Sequence, residues 1–289
     1  MRFTTQVSKQ DWVSDKRRGQ RPTPESPLPP LVSDLPKMNK STMQKTHNTK
    51  TQKESKKIIL DLCGGTGSWS LPYKEAGFVV HNITLPDWNV KRHGFNGELL
   101  EFYAQEGSNQ HLVVPVKDIY GILAAPPCTM FSFARTNAKT PRDLEAGMDT
   151  VLACLRVVWG CIAQGMESDQ QKYSPLKFWA LENPYHGMLK WFLGEPAYTF
   201  NPWEFGHNYQ KHTALWGHFN PPIKKYTDKK QIMDSETIKK AKTNSQPFPK
   251  FDYMKSKDIH PEHYGKWDKK TRRSITPGLF AQAFFEANP

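Results

Sequence analysis

Residues 57–70 have the sequence KIILDLCGGTGSWS, and this stretch decides the fold class. The apolar run from Ile58 to Leu62 predicts a buried strand, and the glycines that follow predict a tight turn leading into a helix. A buried strand that passes through a glycine turn into a helix is typical of α/β proteins with a parallel sheet. The next apolar run, GFVVHNITL at 77–85, follows at the interval expected for a strand–helix–strand unit.

Strand and helix patterns continue to alternate along the chain. YGILAAPPC at 120–128 and FWALENP at 178–184 predict two buried strands, and two further short strands are expected within 203–219. Apolar residues recur at helical spacing from Leu144 to Ile162, which predicts a helix of about five turns. We therefore expect a Rossmann-like, doubly wound α/β sheet, in which ligands bind at the carboxyl ends of the strands.

The 289-residue chain has a formal net charge of +12, and the surplus is concentrated in two segments. Residues 1–57 contain 13 Lys and Arg against 5 Asp and Glu, and residues 221–274 contain 15 against 7, whereas residues 58–220 contain 12 against 15. Basic segments around a slightly acidic centre suit a protein that holds a polyanion near a site, although such segments can also be only solubilising. Residues 1–56 lack apolar periodicity, which predicts a disordered tail.

The four cysteines, at 63, 128, 154 and 161, form no CxxC pair and no cluster with histidines at metal-ligand spacing. We therefore expect reduced thiols, no disulfide framework and no metal site. The N-terminus has no apolar run of the signal-peptide type, and no segment approaches the roughly 20 apolar residues of a membrane span. These features predict a cytoplasmic protein that makes no contact with a membrane.

The glycine turn is the first candidate ligand site. Glycines allow a ligand to approach the backbone closely, and the N-terminus of the following helix adds amide donors. The spacing differs from the GxGxxG fingerprint of dinucleotide-binding sheets, and a tight turn without a ligand is the alternative.

APPCTMFSFAR at 125–135 places a cysteine, Cys128, on a rigid turn directly after a buried strand. Two prolines restrict the backbone before the thiol. A thiolate at this edge of the sheet can act as a nucleophile, provided that nearby cations or helix dipoles lower its pKa. A structural role is the usual alternative for a cysteine, and we assign it to the thiols of Cys63, Cys154 and Cys161 but not to Cys128.

ENP at 182–184 places Glu182 at the carboxyl end of another strand. A carboxyl group in an apolar pocket favours its protonated form and can then donate a hydrogen bond to a ring nitrogen. A turn or capping role is the alternative. We favour a catalytic role because Cys128 is expected at a neighbouring strand end.

DLCGGTGSW, APPCTMFSFAR, ENP and the terminal TPGLFAQAFF occur in this order within residues 57–289. Together they resemble the DNA (cytosine-5-)-methyltransferase family, above all the short members that bacteriophages carry. The resemblance implies a sheet of the S-adenosylmethionine-dependent methyltransferase type. It also implies a monomer that acts in the cytoplasm of a bacterium or a phage-infected host cell, in restriction–modification or in the protection of a viral genome.

In the family that these motifs resemble, the cysteine thiolate adds to carbon 6 of a cytosine flipped out of double-stranded DNA. The resemblance therefore implies this role for Cys128, contacts from Glu182 to nitrogen 3 and the exocyclic amine, and a C-terminal helix packed beside the cofactor. It further implies that S-adenosyl-L-methionine binds at the glycine turn. The residues that it assigns to this cofactor are Asp61, Cys63, Gly64, Gly65, Gly67, Ser68, Trp69 and Pro126.

Two positions depart from the family pattern. The stretch after ENP that usually contains an Arg is YQKHTALWG at 209–217, so Lys211 and His212 are the candidate catalytic groups in its place. A lysine supplies charge but not a planar, bidentate fork. The carboxylate expected after the second strand to hold the cofactor ribose is absent from its place, and Asp87 and Asp118 are the remaining candidates for cofactor contacts.

The motifs divide the chain into a tail at 1–56, a catalytic core at 57–220, a small basic target-recognition region at 221–274 and a final helix at 275–289 that completes the core. The region at 221–274 combines basic and aromatic residues, which suits phosphate contacts and stacking more than extensive readout of base edges. We therefore expect a short or relaxed recognition sequence. A solvated insertion is the alternative.

Other functions are compatible with the sequence. The same chemistry could act on tRNA or another RNA, which a basic and aromatic segment would also suit. The chain could instead be a catalytically inactive DNA-binding relative, as the missing Arg and ribose carboxylate suggest. The presence of both Cys128 and Glu182 argues against that reading, since a binding module needs neither. Transfer of a modified group in place of methyl also stays open.

Overall fold

A computed structural model describes residues 57–106, 108–135, 138–167, 176–233 and 248–289. The expected disordered tail at residues 1–56 lies outside the described residues. Within these ranges the strands are β1 (Ile58–Leu62), β2 (Val79–Ile83), β3 (Trp88–Asn96), β4 (Leu99–Ala104), β5 (His111–Pro115), β6 (Ile119–Ala124), β7 (Phe178–Pro184), β8 (Tyr198–Phe200) and β9 (Thr213–His218). The helices are α1 (Leu71–Glu75), α2 (Leu144–Glu167), α3 (Leu189–Leu193), α4 (Lys229–Met233), α5 (Lys269–Ser274) and α6 (Gly278–Ala287).

The main sheet has six strands in the order β2-β1-β6-β7-β9-β8. The pairs β1–β2, β1–β6 and β6–β7 are parallel, whereas β9 is antiparallel to both β7 and β8. The chain leaves β1 towards one edge of the sheet and leaves β6 towards the other. The crevice between the carboxyl ends of β1 and β6 is therefore the topological switch point, where open α/β sheets bind ligands. The α/β prediction, with a mostly parallel sheet, is confirmed.

Strand β1 has buried side chains on both faces of the sheet. Ile58, Leu60 and Leu62 belong to a core with α2, whereas Ile59 belongs to a second core with α6. A strand that is covered on both faces has no solvent-facing side for polar residues. Its sequence is therefore almost continuously apolar instead of alternating between apolar and polar residues.

A second, antiparallel sheet of β3, β4 and β5 is inserted between β2 and β6. The sequence patterns do not predict this sheet. Helix α2 packs against it, and Gly160 permits the close contact, because a Cβ built at Gly160 would lie 2.2 Å from the ring of Phe95.

Helix α2 confirms the helix expected from the spacing of Leu144 to Ile162. We expected no segment with the length and composition of a membrane span. This expectation is wrong, because the helical segment 144–164 is long and apolar enough to cross a membrane by these two criteria alone. Its apolar character has a simpler cause. Val151, Cys154 and Val158 are buried in the core that α2 shares with the main sheet, as expected of a core helix.

Only one of the two strands expected within 203–219 is present, as β9. Residues Pro202–Phe205 form a 3-10 turn instead, and β8 lies earlier in the chain. The turn starts with a capping box, in which the Asn201 backbone N–H donates to the Glu204 carboxylate at 2.6 Å. Pro202, which has no N–H to donate, is well suited to the first position of such a turn.

The C-terminal helix α6 packs against the segment that follows the glycine turn. Phe280 stacks on Phe200 with ring centroids 3.7 Å apart, and Phe284 meets the Trp69 ring edge-on at 5.4 Å. The Tyr73 hydroxyl of α1 donates to the backbone carbonyl of Asn288 at 2.9 Å. The helix predicted for 275–289 is therefore present, and it lies beside the glycine turn as expected.

The described part of the basic region at 221–274 consists of short helices and 3-10 turns. A buried side chain, Arg272, connects them. Its guanidinium donates to the backbone carbonyls of Ser256 and Ile259 and to the Ser256 hydroxyl, and its Nε donates to the carbonyl of Trp267. These acceptors are neutral, so the buried cation adds positive charge to this region.

Candidate active site

The turn that carries Cys128 is fixed to both neighbouring strands. Directly after β6, the Ala125 N–H donates to the Leu62 carbonyl at the end of β1 at 2.9 Å. The Asn183 side chain of β7 donates to the Pro126 carbonyl at 3.0 Å. Cys128 then begins a 3-10 turn and is half-buried. These bonds hold the thiol over the junction of three parallel strands.

Glu182 lies on the strand beside this turn. Its predecessor Leu181 pairs with Ala124, the last residue of β6, so Glu182 stands at the carboxyl edge next to the Cys128 turn. Burial raises the pKa of Glu182, and the positive charge of Lys211 offsets part of this increase. The protonated form of this carboxyl is thus more favoured than in a freely solvated glutamate, in the direction that the proposed hydrogen bond to a ring nitrogen needs.

The electrostatic surroundings of Cys128 differ from those required by the sequence prediction. Burial raises the pKa of the thiol above its ordinary value of 9.0, and the charge of Glu182 raises it further. The positive charges of Lys211 and Arg273 act in the opposite direction. The cations that should activate the thiol are therefore present, but the cost of burying a thiolate outweighs them.

Lys211 reaches the site because β9 runs against the parallel strands. Thr213, the first residue of β9, pairs with Pro184, so the residues just before it lie at the same edge as Glu182. The Lys211 ammonium donates to the backbone carbonyl of Arg273 at 3.4 Å and lies 5.5 Å from the centre of the Phe251 ring.

The His212 side chain contacts His186 and Tyr185. Its Nδ1 lies 3.3 Å from Nε2 of His186, and its ring packs on Tyr185 with centroids 4.3 Å apart. Burial and the neighbouring His186 lower the pKa of His212. The structure thus brings Lys211 to the thiol but gives the His212 ring a different environment.

The glycine turn needs its glycines for two separate reasons. A Cβ at Gly64 would lie 2.2 Å from the carboxyl carbon of Asp61. Gly65 and Gly67 have φ angles of +56° and +71°, in the left-handed region that L side chains rarely adopt. Cys63 has a φ of +57° as well, although it carries a side chain. The turn is therefore a special backbone conformation, and Cys63 is strained in it.

Asp61 lies beneath this turn and is fully buried. It accepts a hydrogen bond from the Ser70 hydroxyl at 2.5 Å. Burial raises the pKa of Asp61 to about 6, and the bonds with Ser70 lower it only in part. Ser68 supports the turn from the other side, since its hydroxyl accepts a bond from the Thr276 N–H at 2.9 Å.

Several polar atoms around the turn have no partner. Within the described residues, Asp61 Oδ1, Thr66 Oγ1, Trp69 Nε1 and Asn82 Oδ1 are buried without a hydrogen bond. Buried polar atoms are normally paired, and each exception calls for an explanation. A polar ligand with donors and acceptors of its own would satisfy several of them, so this turn fits a molecule such as a nucleoside.

Asn82 and Thr84 at the end of β2 complete the turn. The Asn82 side chain donates to the Gly65 carbonyl at 2.9 Å, and the Gly65 N–H donates to the Thr84 hydroxyl at 3.3 Å. They stand where the sequence lacks the expected carboxylate. Asn82 lies near the end of β2 and Thr84 directly follows it, and this position at the carboxyl end of a strand is a signal that would have identified them as site residues.

The two remaining cofactor candidates are placed differently. Asp87 is exposed in the loop after β2, on the same edge as the glycine turn. Asp118 ends the 3-10 turn before β6, and its neighbour Ile119 pairs with Ile58 at the start of β1. Asp118 therefore lies at the opposite edge of the sheet from the glycine turn, because a residue that precedes a parallel strand cannot share an edge with residues that follow one.

Comparison with known proteins does not assign a family. No protein-family model matches the chain, and no curated protein matches it significantly. In the part of the chain that the structure describes, no three His, Cys, Asp or Glu side chains are grouped so that they could hold a metal ion. Function is therefore inferred from the residues at the carboxyl edge of the main sheet.

Proposed function

We propose that the protein transfers a methyl group from S-adenosyl-L-methionine to carbon 5 of a cytosine flipped out of double-stranded DNA. One observation carries the proposal. Cys128 and Glu182, a nucleophile and a carboxyl with a raised pKa, stand at adjacent strand ends and are joined through the bond from Asn183 to the Pro126 carbonyl. The glycine turn at the end of β1 is beside them, at the switch point of the sheet.

This pair suits the chemistry of cytosine. Carbon 5 is a poor nucleophile because the ring is electron-poor. Addition of the Cys128 thiolate to carbon 6 breaks the 5,6 double bond and makes carbon 5 electron-rich, while protonated Glu182 stabilises the charge that develops at nitrogen 3. Carbon 5 then takes up the methyl group, loses its proton to solvent, and the re-formed double bond expels the thiolate.

The residues around the glycine turn fit S-adenosylmethionine, which when bound would supply a methyl group on a sulfonium. The backbone of Gly65 and Gly67 and the unpaired atoms of Thr66 and Asn82 would hold its polar groups. Asn82 would take the place of a ribose-binding carboxylate. The six-strand order, with the reversed β9 between β7 and β8, supports the finer assignment of the sheet to the methyltransferase type.

The basic region supports a nucleic-acid substrate. His263 and Trp267 stack with ring centroids 4.1 Å apart, and Tyr253 is largely exposed beneath the ammonium of Lys250. Flat rings beside cations can contact both bases and phosphates. A base within a duplex shields both ring faces from a thiol, so the proposal requires base flipping.

The proposal is tested by incubating the protein with labelled S-adenosylmethionine and, separately, duplex DNA, single-stranded DNA and bulk tRNA, followed by mapping of modified cytosines. We expect label at carbon 5 of cytosine in duplex DNA, loss of transfer in Cys128→Ser, and retained transfer in the control Cys161→Ala. Label in tRNA alone would show that the substrate is RNA and not DNA. DNA binding without any transfer would instead indicate a non-enzymatic relative.

The covalent step has its own test. DNA that contains 5-fluorocytosine cannot lose a proton from carbon 5, so the adduct with Cys128 should persist as a complex that survives denaturation. A wild-type protein that methylates DNA without forming this complex, or a Cys128→Ala variant that transfers methyl groups as fast as wild type, would refute the mechanism.

A further inference from the structure

Arg273, near the end of α5, joins the site from a segment remote in the sequence. Its backbone carbonyl accepts the bond from Lys211 at 3.4 Å. The next residue, Ser274, lies beside the glycine turn, since a Cβ at Gly65 would be 3.8 Å from its hydroxyl. The Thr276 N–H binds the Ser68 hydroxyl. The chain around Arg273 is therefore tied to both Lys211 and the glycine turn.

The side chain of Arg273 shares an aromatic ring with Lys211. Its guanidinium carbon lies 5.1 Å from the centre of the buried Phe251 ring, and the Lys211 ammonium lies 5.5 Å from the same centre. Arg273 also forms an ion pair with Asp252. The side chain of Arg273 remains partly exposed.

These two cations are not equivalent. Lys211 acts on both Glu182 and Cys128, whereas Arg273 acts on Cys128 and is held by a carboxylate of the basic region. A guanidinium stays charged at any pH at which a protein is folded and offers a planar set of donors. The YQKHTALWG stretch has no such group, and α5 provides one at the same edge.

We propose that Arg273 is a positioning residue for the reaction, which supplies a second positive charge that favours the Cys128 thiolate, and that Asp252 restrains this charge. The inference rests on the proposed function, because it assumes that Cys128 reacts as a thiolate. Asp252 belongs to the basic region expected to contact DNA, so the reactivity of the thiol depends on that region. Phe251 keeps the guanidinium in place.

Alkylation of Cys128 by iodoacetamide tests this role without DNA or cofactor. The rate is measured from about pH 7 to about pH 10, a range that spans the ordinary thiol pKa, with peptide mass spectrometry to separate Cys128 from the partly exposed Cys63. Because only the thiolate reacts, a shift of half a unit in the thiol pKa changes the rate below that pKa about threefold. Stability is followed by thermal unfolding.

We expect Arg273→Gln to slow alkylation about threefold below the thiol pKa and Asp252→Asn to accelerate it about threefold, if each changes the thiol pKa by half a unit. Arg273→Lys should alkylate at close to the wild-type rate. Lys257→Gln and Asp258→Asn make the same charge changes at exposed positions of the same region and should leave the rate at its wild-type value.

Unchanged alkylation profiles for both Arg273→Gln and Asp252→Asn would overturn the proposal. If Arg273→Gln does not fold, Asp252→Asn decides alone, and an unchanged or slower rate counts against it. The measurement does not require methyl transfer. A wild-type protein that fails to methylate DNA but shows these shifts would therefore refute the proposed function and leave the effect of Arg273 on the thiol intact.

Discussion

The buried carboxyl of Asp61 makes the stability of the protein depend on pH. Asp61 lies in β1 without exposed surface, accepts a hydrogen bond from the Ser70 hydroxyl, and has a second oxygen without a partner among the described residues. Burial raises its pKa from 3.8 to about 6 because the charged form loses its hydration. Replacement by Asn removes this titration while keeping the size of the side chain.

The magnitude follows from the two pKa values. The folded protein holds the Asp61 proton more tightly than the unfolded chain, so it binds about one more proton at pH values between the two pKa values. Stability therefore falls as the pH rises through this interval. About two pKa units at about 1.4 kcal/mol each give a loss of about 3 kcal/mol, complete above about pH 6 and absent below the unfolded pKa.

Urea unfolding from about pH 4 to about pH 8, on either side of this transition, measures the effect. Asp61→Asn should gain about 3 kcal/mol relative to wild type over this range, and Asp258→Asn, at an exposed position, should follow the wild-type curve. The prediction concerns only how the difference in unfolding free energy between Asp61→Asn and wild type changes with pH, because the amide also packs differently and adds an offset that does not depend on pH. Parallel curves for wild type and Asp61→Asn, or a wild type that gains on the variant as the pH rises, would refute this reasoning.

Three further substitutions test the site and its support. Glu182→Gln should lower the single-turnover rate of methyl transfer by about 10²- to 10⁴-fold with DNA binding retained, since it removes the proton donor to nitrogen 3; an unchanged rate would exclude that role. Gly64→Ala should weaken binding of S-adenosylmethionine in calorimetry, because its Cβ meets the Asp61 carboxyl, whereas Gly94→Ala, which meets nothing within 4 Å, should bind normally. Phe280→Ala should lower the free energy of unfolding by about 3–5 kcal/mol, because removal of the buried ring leaves a cavity. The half-exposed Leu279→Ala should cost much less, and equal losses would contradict the packing described for α6.

Much of the site was predictable from short stretches of sequence. The apolar run before the glycine turn, the Pro-Pro-Cys turn after β6 and Glu182 near the end of β7 are local patterns, and each residue lies on the strand or turn predicted for it. Parallel strands in one sheet have their carboxyl ends at the same edge, so the sequence alone predicts that Cys128 and Glu182 are neighbours. The C-terminal helix was likewise expected from the terminal TPGLFAQAFF stretch.

The features that sequence patterns did not predict depend on contacts between distant segments. Asp118 was a candidate for cofactor contacts, and the parallel pairing of its neighbour Ile119 with Ile58 places it at the far edge. Arg273 was not selected because it lies 62 residues from Lys211, and no local pattern relates α5 to β9. The sheet of β3 to β5 was missed because its strands are only partly buried and therefore lack the continuous apolar runs of the central strands.

The amino-acid sequence by itself determined the central strands β1, β6 and β7, the turns that follow them and the types of reactive group at their ends, since these follow from hydrophobic runs and backbone restrictions within a few residues. Only the tertiary structure decided the ionisation of those groups. The pKa of Cys128 reflects burial together with Glu182, Lys211 and Arg273, which come from three separate segments. A charge acts through space and a buried group loses water to whatever covers it, so neither effect can be deduced from neighbours in the chain alone.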